Sequence, residues 1–140
     1  MALEIKHDTD MKKTIFIALA LAFTLTGCKK QTFEDRVIAD VEHFNTKEAP
    51  KHMDVYTTLD SMSYDKSTQT IGYYYTVNGI ADDVELFPAD PFRQQLLQNV
   101  RSSLQLKPHK EHGCNFRYCY LSQTTGRPLL DVTFMPEDYK

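Results

Sequence analysis

Hydrophobic and polar positions follow two different periods along the chain. In residues 33–45 and 91–106, apolar side chains recur at helical spacing, which predicts two amphipathic helices. Stretches rich in β-branched and aromatic residues, most of them alternating apolar with polar positions, predict four strands at 55–64, 70–78, 114–120 and 129–134. The predicted order of elements is therefore α-β-β-α-β-β.

Capping and breaking residues set the ends of the predicted helices. Thr32 is placed to cap the first helix, with Asp35 in its first turn. Asp90 and Pro91 predict the start of the second helix, because Pro is tolerated where no N–H is needed, and Pro108 predicts a stop. The remaining polar stretches are predicted to be loops or a tail: 46–54, 79–89, 107–113 and 136–140.

The repeated order of elements predicts the fold class. Matching elements of the two halves lie 58 or 59 residues apart, so α-β-β occurs twice. We expect an α+β domain with a four-stranded antiparallel sheet and both helices on one face. Four alternating tyrosines would fill the core beneath the helices, leaving the other face open: Tyr73, Tyr75, Tyr118 and Tyr120.

The N-terminal segment has the layout of an export signal. Met11 is followed by two lysines and then by nine apolar residues, 15–23. A helix needs about 20 apolar residues to cross a bilayer, so this run is too short to span it. We expect residues 11–27 to be a cleaved signal and the polar residues 1–10 to be an upstream extension.

The segment that closes this run, Leu25-Thr26-Gly27-Cys28, resembles the lipid-attachment motif of bacterial lipoproteins. The resemblance implies that the Cys28 thiol receives a diacylglycerol, that the chain is cut before Cys28, and that the new amino group is acylated, typically with palmitate. Residues 28–32 would then tether a domain of residues 33–140 to the membrane. The alternative is an ordinary secretory signal that happens to end in Cys. Lys29 resembles the outer-membrane-sorted class of lipoproteins, which implies a site facing the periplasm.

The exported part also resembles a group of small bacterial exported α+β domains to which no activity is attached. The resemblance lies in four short stretches: 57–61, 73–75, 96–100 and 116–120. Members of the group often carry a Cys at two positions that here are Arg101 and Tyr139, which implies that a family disulfide is absent. Cys114 and Cys119 remain, five residues apart on one predicted strand. We expect both to be free thiols, with Cys114 buried, because such spacing puts them beyond disulfide reach.

Composition and motif spacing narrow the classes of chemistry. The chain has 16 Lys and Arg against 19 Asp and Glu, and its net charge of −3 argues against nucleic acid as a partner. His109, His112 and Cys114 could ligate zinc or copper, although the neighbouring Lys107 and Lys110 favour a solvated loop followed by a core Cys instead. Asp82, Asp83, Glu85 and Asp90 lack the pattern of a calcium loop, and the serines lack a nucleophile context. We expect neither an enzyme nor a bound cofactor.

The predicted open face of the sheet carries the candidate binding residues. Tyr74, Arg117 and Leu121 project from it, and aromatic and Arg side chains are favoured at binding surfaces. The sequence therefore predicts a lipid-anchored, non-enzymatic interaction module of the bacterial envelope that binds another envelope protein. Two alternatives are a periplasmic small-molecule or metal-binding domain and an inhibitor or immunity-type lipoprotein.

Overall fold

The computed structural model describes residues 29–140, and residues 32–140 form one unit that is described by itself. The predictions for residues 1–28, including lipidation at Cys28, lie outside the described residues. The helices are α1 (Phe33–His43), α2 (Ala89–Ser102), α3 (Lys107–Glu111) and α4 (Pro136–Tyr139). The strands are β1 (Lys51–His52), β2 (Thr57–Asp65), β3 (Thr70–Val77), β4 (Asn115–Ser122) and β5 (Pro128–Phe134). A π-helical turn, Phe44–Glu48, continues α1.

The predicted α+β class is confirmed, but the predicted four-stranded antiparallel sheet is wrong in two respects. The sheet is mixed and has five strands in the order β1-β2-β3-β4-β5. Its central pair is parallel, with Thr70 beside Asn115 and Val77 beside Ser122, whereas the other pairs are antiparallel. The reason is that α2 and α3 carry the chain back along the sheet, so β4 starts beside the start of β3. The fifth strand is β1, whose two residues are too few to show a period.

The observed start of α1 agrees with the one predicted from the sequence, whereas the observed ends of α2 differ from the predicted ones. Thr32 caps α1: its Oγ1 accepts the Asp35 N–H at 3.1 Å, and the Asp35 carboxylate accepts the Thr32 N–H at 2.9 Å. These bonds lower the pKa of Asp35. The second helix begins one residue before Asp90 and ends at Ser102, so Leu104 is 84% exposed rather than on its apolar face. Pro108 stands in the first turn of α3, where the sequence predicted a loop.

The core lies between the helices and one face of the sheet. Phe116 of β4 and Phe134 of β5 are fully buried, and Val100 of α2 is almost fully buried.

The strand β2 begins at Thr57, whereas the sequence predicted that it begins at Val55. Cys114 and Cys119 are free thiols, as predicted, and Cys114 is buried as expected. Cys119 is buried as well, which the sequence did not predict, and burial raises the pKa of each thiol.

The C-terminal residues form the helix α4 rather than the predicted polar tail. Tyr139 is only 7% exposed, and its hydroxyl donates to the Cys114 carbonyl at 2.7 Å. The Arg101 guanidinium donates two hydrogen bonds, of 3.0 and 2.6 Å, to the Asp138 carbonyl. Arg101 therefore links α2 to α4, and the Tyr139 ring is buried against the core.

Removing the Tyr139 hydroxyl is expected to destabilise the domain. In Tyr139→Phe the Cys114 carbonyl loses its buried donor, which costs about 1–3 kcal/mol of the free energy of unfolding. Urea denaturation followed by circular dichroism measures this cost. The matched control is Tyr64→Phe, because the buried Tyr64 hydroxyl has no hydrogen-bond partner within the described residues. We expect the control to be neutral or slightly stabilising, and equal losses in both variants would contradict this account.

Candidate functional site

The predicted binding residues Tyr74 and Arg117 lie together on the outer face of the sheet. The Arg117 guanidinium carbon lies 5.9 Å from the centre of the Tyr74 ring, and its nitrogens donate to both carboxylate oxygens of Asp131 at 2.9 and 2.7 Å. This pairing raises the pKa of Arg117 and lowers that of Asp131. The Tyr74 ring covers Gly72, where an added Cβ would lie 2.9 Å from the Tyr74 hydroxyl. Both side chains are therefore engaged with neighbours in the sheet.

Leu121, the third predicted residue, is partly buried in a different hollow of the same face. Its neighbours there include Asp60 and Thr76. Tyr74 and Arg117 instead line a shallow polar hollow with Thr70 and other hydroxyl-bearing residues. The structure therefore brings together two of the three predicted residues and places the third beside them along the sheet.

A larger depression lies on the inner face, between the helices. α1 and its π-helical turn pack over β2, whereas α2 packs over β5 and α4. The strands between them form its floor with four tyrosines, named here the tyrosine floor: Tyr73, Tyr75, Tyr118 and Tyr120. Three of these, Tyr75, Tyr118 and Tyr120, are buried core residues whose rings border the hollow. Because β3 and β4 are parallel and in register, the rings stack in two pairs whose centres are 5.0 and 4.4 Å apart. The sequence predicted that these tyrosines fill the core beneath the helices, and three of them do, but it did not predict that they would also line a hollow.

This first hollow, the tyrosine hollow, has a volume of about 580 Å³. Amide side chains of α2, Gln95 and Asn99, form one wall, and Met53 and Asp54 before β2 form the other. Burial raises the pKa of the Tyr73, Tyr118 and Tyr120 hydroxyls further above neutral pH. The hollow therefore offers neutral hydrogen-bonding groups above a flat aromatic surface.

A second hollow of about 480 Å³, the apolar hollow, adjoins the first at the end of the sheet where β3 finishes. The two hollows share Asp54, Thr57, Phe92 and Tyr120, and together they are called the groove. Aliphatic side chains on its rim are strongly exposed: Val55 by 83%, Ile80 by 83% and Leu86 by 78%. A cluster of exposed large apolar side chains around a concave surface marks a site of interaction.

Two short turns hold Val55 and Leu86 at the rim, and Ile80 lies in a 3-10 turn, Gly79–Ala81. The Asp54 carboxylate accepts the N–H groups of Tyr56 and Thr57 at 2.7 and 2.8 Å, which folds the segment before β2. The Asp83 carboxylate accepts the N–H groups of Glu85 and Leu86 at 2.9 and 3.3 Å. Such Asx turns fix backbone direction locally. The rim is therefore a set of ordered turns that display apolar residues.

Sequence reasoning missed the apolar hollow because residues 79–89 stood out for their acids. The signal was present in the same stretch, which holds four large apolar residues between polar ones: Ile80, Val84, Leu86 and Phe87. A connector that only links two elements has no need of so many apolar side chains. The use of three of them, Ile80, Leu86 and Phe87, becomes visible only when the fold places them around the hollow with Phe92 and Tyr120.

The candidate metal ligands and acids are used in other ways. Phe33 stacks on His112, with ring centres 3.7 Å apart, and meets the edge of His109 at 5.6 Å. Burial lowers the pKa of His109. Asp82 accepts the N–H and hydroxyl of Thr124 at 2.9 and 2.8 Å. Across residues 29–140, no group of three or more His, Cys, Asp or Glu side chains is arranged to hold a metal ion.

Comparison with models of protein families identifies the family to which the chain belongs. A family model described as "domain of unknown function (DUF8479)" matches residues 32–130. The chain belongs to this family. The matched residues include both hollows of the groove and the outer-face residues Tyr74, Arg117 and Leu121. No curated protein sequence matches the chain.

Three solved structures share the fold of this DUF8479 domain. A Pseudomonas aeruginosa protein described as secreted is 15% identical, with a TM-score of 0.64, and the match covers 81% of this chain and 100% of that one. The pilotin of the Vibrio vulnificus type 2 secretion system is 10% identical, with a TM-score of 0.58 and coverage of 73% and 86%. The type II secretion system pilotin of Vibrio cholerae is 13% identical, with a TM-score of 0.54 and coverage of 71% and 85%. At these identities the likeness shows the fold alone.

Within residues 29–140, no helix combines the length and the apolar character needed to cross a bilayer.

Proposed function

We propose that the chain is an exported lipoprotein of the bacterial envelope, anchored at Cys28, whose domain binds another envelope protein through the groove. The observation that carries the binding role is the exposure of Val55, Ile80 and Leu86 around a concave apolar surface. The export signal and lipid-attachment motif in the sequence support the envelope address. The similarity in fold to a protein described as secreted and to two pilotins of type II secretion systems supports the same setting.

The groove is suited to recognition of a polypeptide segment. Burying an exposed Leu, Ile or Val side chain stabilises a complex by about 1.5–3 kcal/mol, so the rim offers several anchor positions. Gln95, Asn99 and the tyrosine hydroxyls can bond to the polar groups that accompany apolar anchors in a protein segment. We therefore propose that apolar side chains of the partner fill the apolar hollow and that its polar groups meet the tyrosine hollow.

The start of α1 and the apolar hollow lie at opposite ends of the sheet. α1 begins at the β2–β3 turn, where Glu34 and Lys66 form an ion pair of 2.8 Å. The hollow lies at the other end of the same strands, beside Thr57 and Val77. These ends are about 23 Å apart at 3.3 Å per residue, whereas the four steps from residue 28 to residue 32 span at most about 14 Å. The hollow is therefore farther from the start of α1 than the tether can span, and we place the anchor in the outer membrane, with the domain facing the periplasm.

Replacing Cys28 by Ser is expected to remove the lipid, because a hydroxyl is too weak a nucleophile for the thiol alkylation. Cells grown with labelled palmitate should incorporate label into the wild-type chain and none into Cys28→Ser. The wild-type protein should fractionate with outer membranes, whereas the variant should leave them. The matched control is Cys119→Ser, which should keep full labelling. Palmitate labelling of Cys28→Ser would refute lipidation at this residue.

The binding role is tested by crosslinking in cells, followed by purification of the tagged lipoprotein and identification of what is attached. We expect one envelope protein to be recovered in stoichiometric amounts. Failure to recover an attached protein with crosslinkers of any spacer length would contradict the role as an interaction module. It would favour a small molecule as the ligand of the groove.

A further inference from the structure

The charges that line the groove have a single sign. Asp54 borders both hollows and Asp83 borders the apolar hollow, whereas no Lys, Arg or His of residues 29–140 lines either one. A carboxylate beside an apolar surface favours a partner that brings both an apolar anchor and a cation. The residues that line the groove therefore favour an occupant that is both apolar and positively charged.

We propose that the partner segment bound in the groove carries Lys or Arg next to its apolar anchors, so that its cations meet Asp54 and Asp83. This inference rests on the proposed function of the groove. It excludes acidic peptides and fatty acids as occupants, because their carboxylates would be placed beside two aspartates in a partly desolvated site.

Each aspartate is held in place by its turn and keeps an oxygen for a partner. The bonds of Asp54 to Tyr56 and Thr57, and those of Asp83 to Glu85 and Leu86, all use Oδ1. Within the described residues neither carboxylate forms an ion pair. The charges are therefore positioned by the backbone but not neutralised by the domain itself.

The surroundings of the hollow strengthen the same field. Residues 79–92 hold four acids and no basic residue: Asp82, Asp83, Glu85 and Asp90. The next cation along the chain, Arg93, lies 5.7 Å over the ring of Phe134 in the core. On β1, Lys51 is paired with Glu48 at 3.0 Å. Arg93 and Lys51 are thus engaged with other groups, and neither lines the groove.

Binding of synthetic peptides to the lipidated protein in phosphatidylcholine nanodiscs tests the inference. Three labelled peptides share the same leucines at helical spacing. All remaining positions are Lys in the first peptide, Gln in the second and Glu in the third. Fluorescence anisotropy, corrected with empty nanodiscs, should show the Lys peptide binding about five- to tenfold tighter than the Gln peptide. The Glu peptide should bind most weakly. Raising the salt concentration should shrink the advantage of Lys.

Paired substitutions separate charge from shape. Asp54→Asn with Asp83→Asn keeps the Oδ1 acceptor of each turn, so it should reduce the affinity for the Lys peptide to that for the Gln peptide. Glu42→Gln with Glu137→Gln, which neutralises two charges outside the groove, should keep the preference. If the wild-type protein bound the Lys and Gln peptides with equal affinity, the charge inference would be overturned, and the groove would remain a binding site. Failure of all three peptides to bind would overturn both.

Discussion

Replacing Ile80 and Leu86 together by Asp is expected to reduce capture of the partner at least tenfold. Both side chains are mainly exposed, so the domain should fold normally. In the complex each new carboxylate would lose its water against the apolar anchors of the partner, which costs more than the lost apolar contact. The amount of crosslinked partner, compared with the amount of lipoprotein by immunoblot, measures the effect.

The matched comparison is the double variant Tyr74→Ala and Arg117→Ala on the outer face of the sheet. Sequence reasoning favoured that face, and the structure shows its two main side chains engaged with Ser63, with Asp131 and with each other. If the groove is the interface, this variant captures the partner as the wild type does. Loss of capture in the outer-face variant alone would move the interface to Tyr74 and Arg117.

Replacing Phe116 by Ala should have the largest effect on stability. The ring is fully buried and meets the ring of Tyr139, with centres 5.5 Å apart. Truncating a buried Phe costs about 3–5 kcal/mol, because transfer free energy is lost and a cavity remains. Since small domains unfold with only about 5–15 kcal/mol, this loss would bring the protein near its threshold.

Urea denaturation of the purified protein measures the loss as a lower midpoint at unchanged slope. Leu104→Ala is the control, because Leu104 is largely exposed just after α2, and its change should stay within about 0.5 kcal/mol. A loss below about 1 kcal/mol in Phe116→Ala would contradict the placement of this ring at the centre of the core.

The period of the sequence predicted the long elements but not the direction of their pairing. Alternation along β3 and β4 tells which side chains share a face, and it correctly placed Tyr73 and Tyr118 on one face. It is identical for parallel and antiparallel neighbours, so it could not predict that Thr70 pairs with Asn115. That pairing follows from the path of α2 and α3 across the sheet, which is a property of the whole chain.

Short elements escaped the sequence for a different reason. β1 has two residues and α4 has four, so neither is long enough to show a period. The burial of Tyr139 depends on a carbonyl 25 positions earlier in the chain, at Cys114. Contacts of this kind are set by tertiary packing and leave no local pattern.

The candidate site was only partly accessible to sequence reasoning. The open-face residues Tyr74 and Arg117 were correctly placed on one surface, but their bonds to Ser63 and Asp131 depend on the register of the strands. The exposed apolar rim was missed because exposure is a property of the folded chain. Val55 was assigned to a strand, and only the structure shows it at the mouth of a hollow.

The central claim is that the groove holds another envelope protein, and photocrosslinking from within the groove tests it most directly. A photoreactive amino acid is placed at Leu86 in the full lipidated chain, and in a second, otherwise identical strain at Met135, an exposed apolar position beside the outer face. The account predicts a discrete adduct with one envelope protein from position 86 and none from position 135. An adduct from position 135 alone would contradict it.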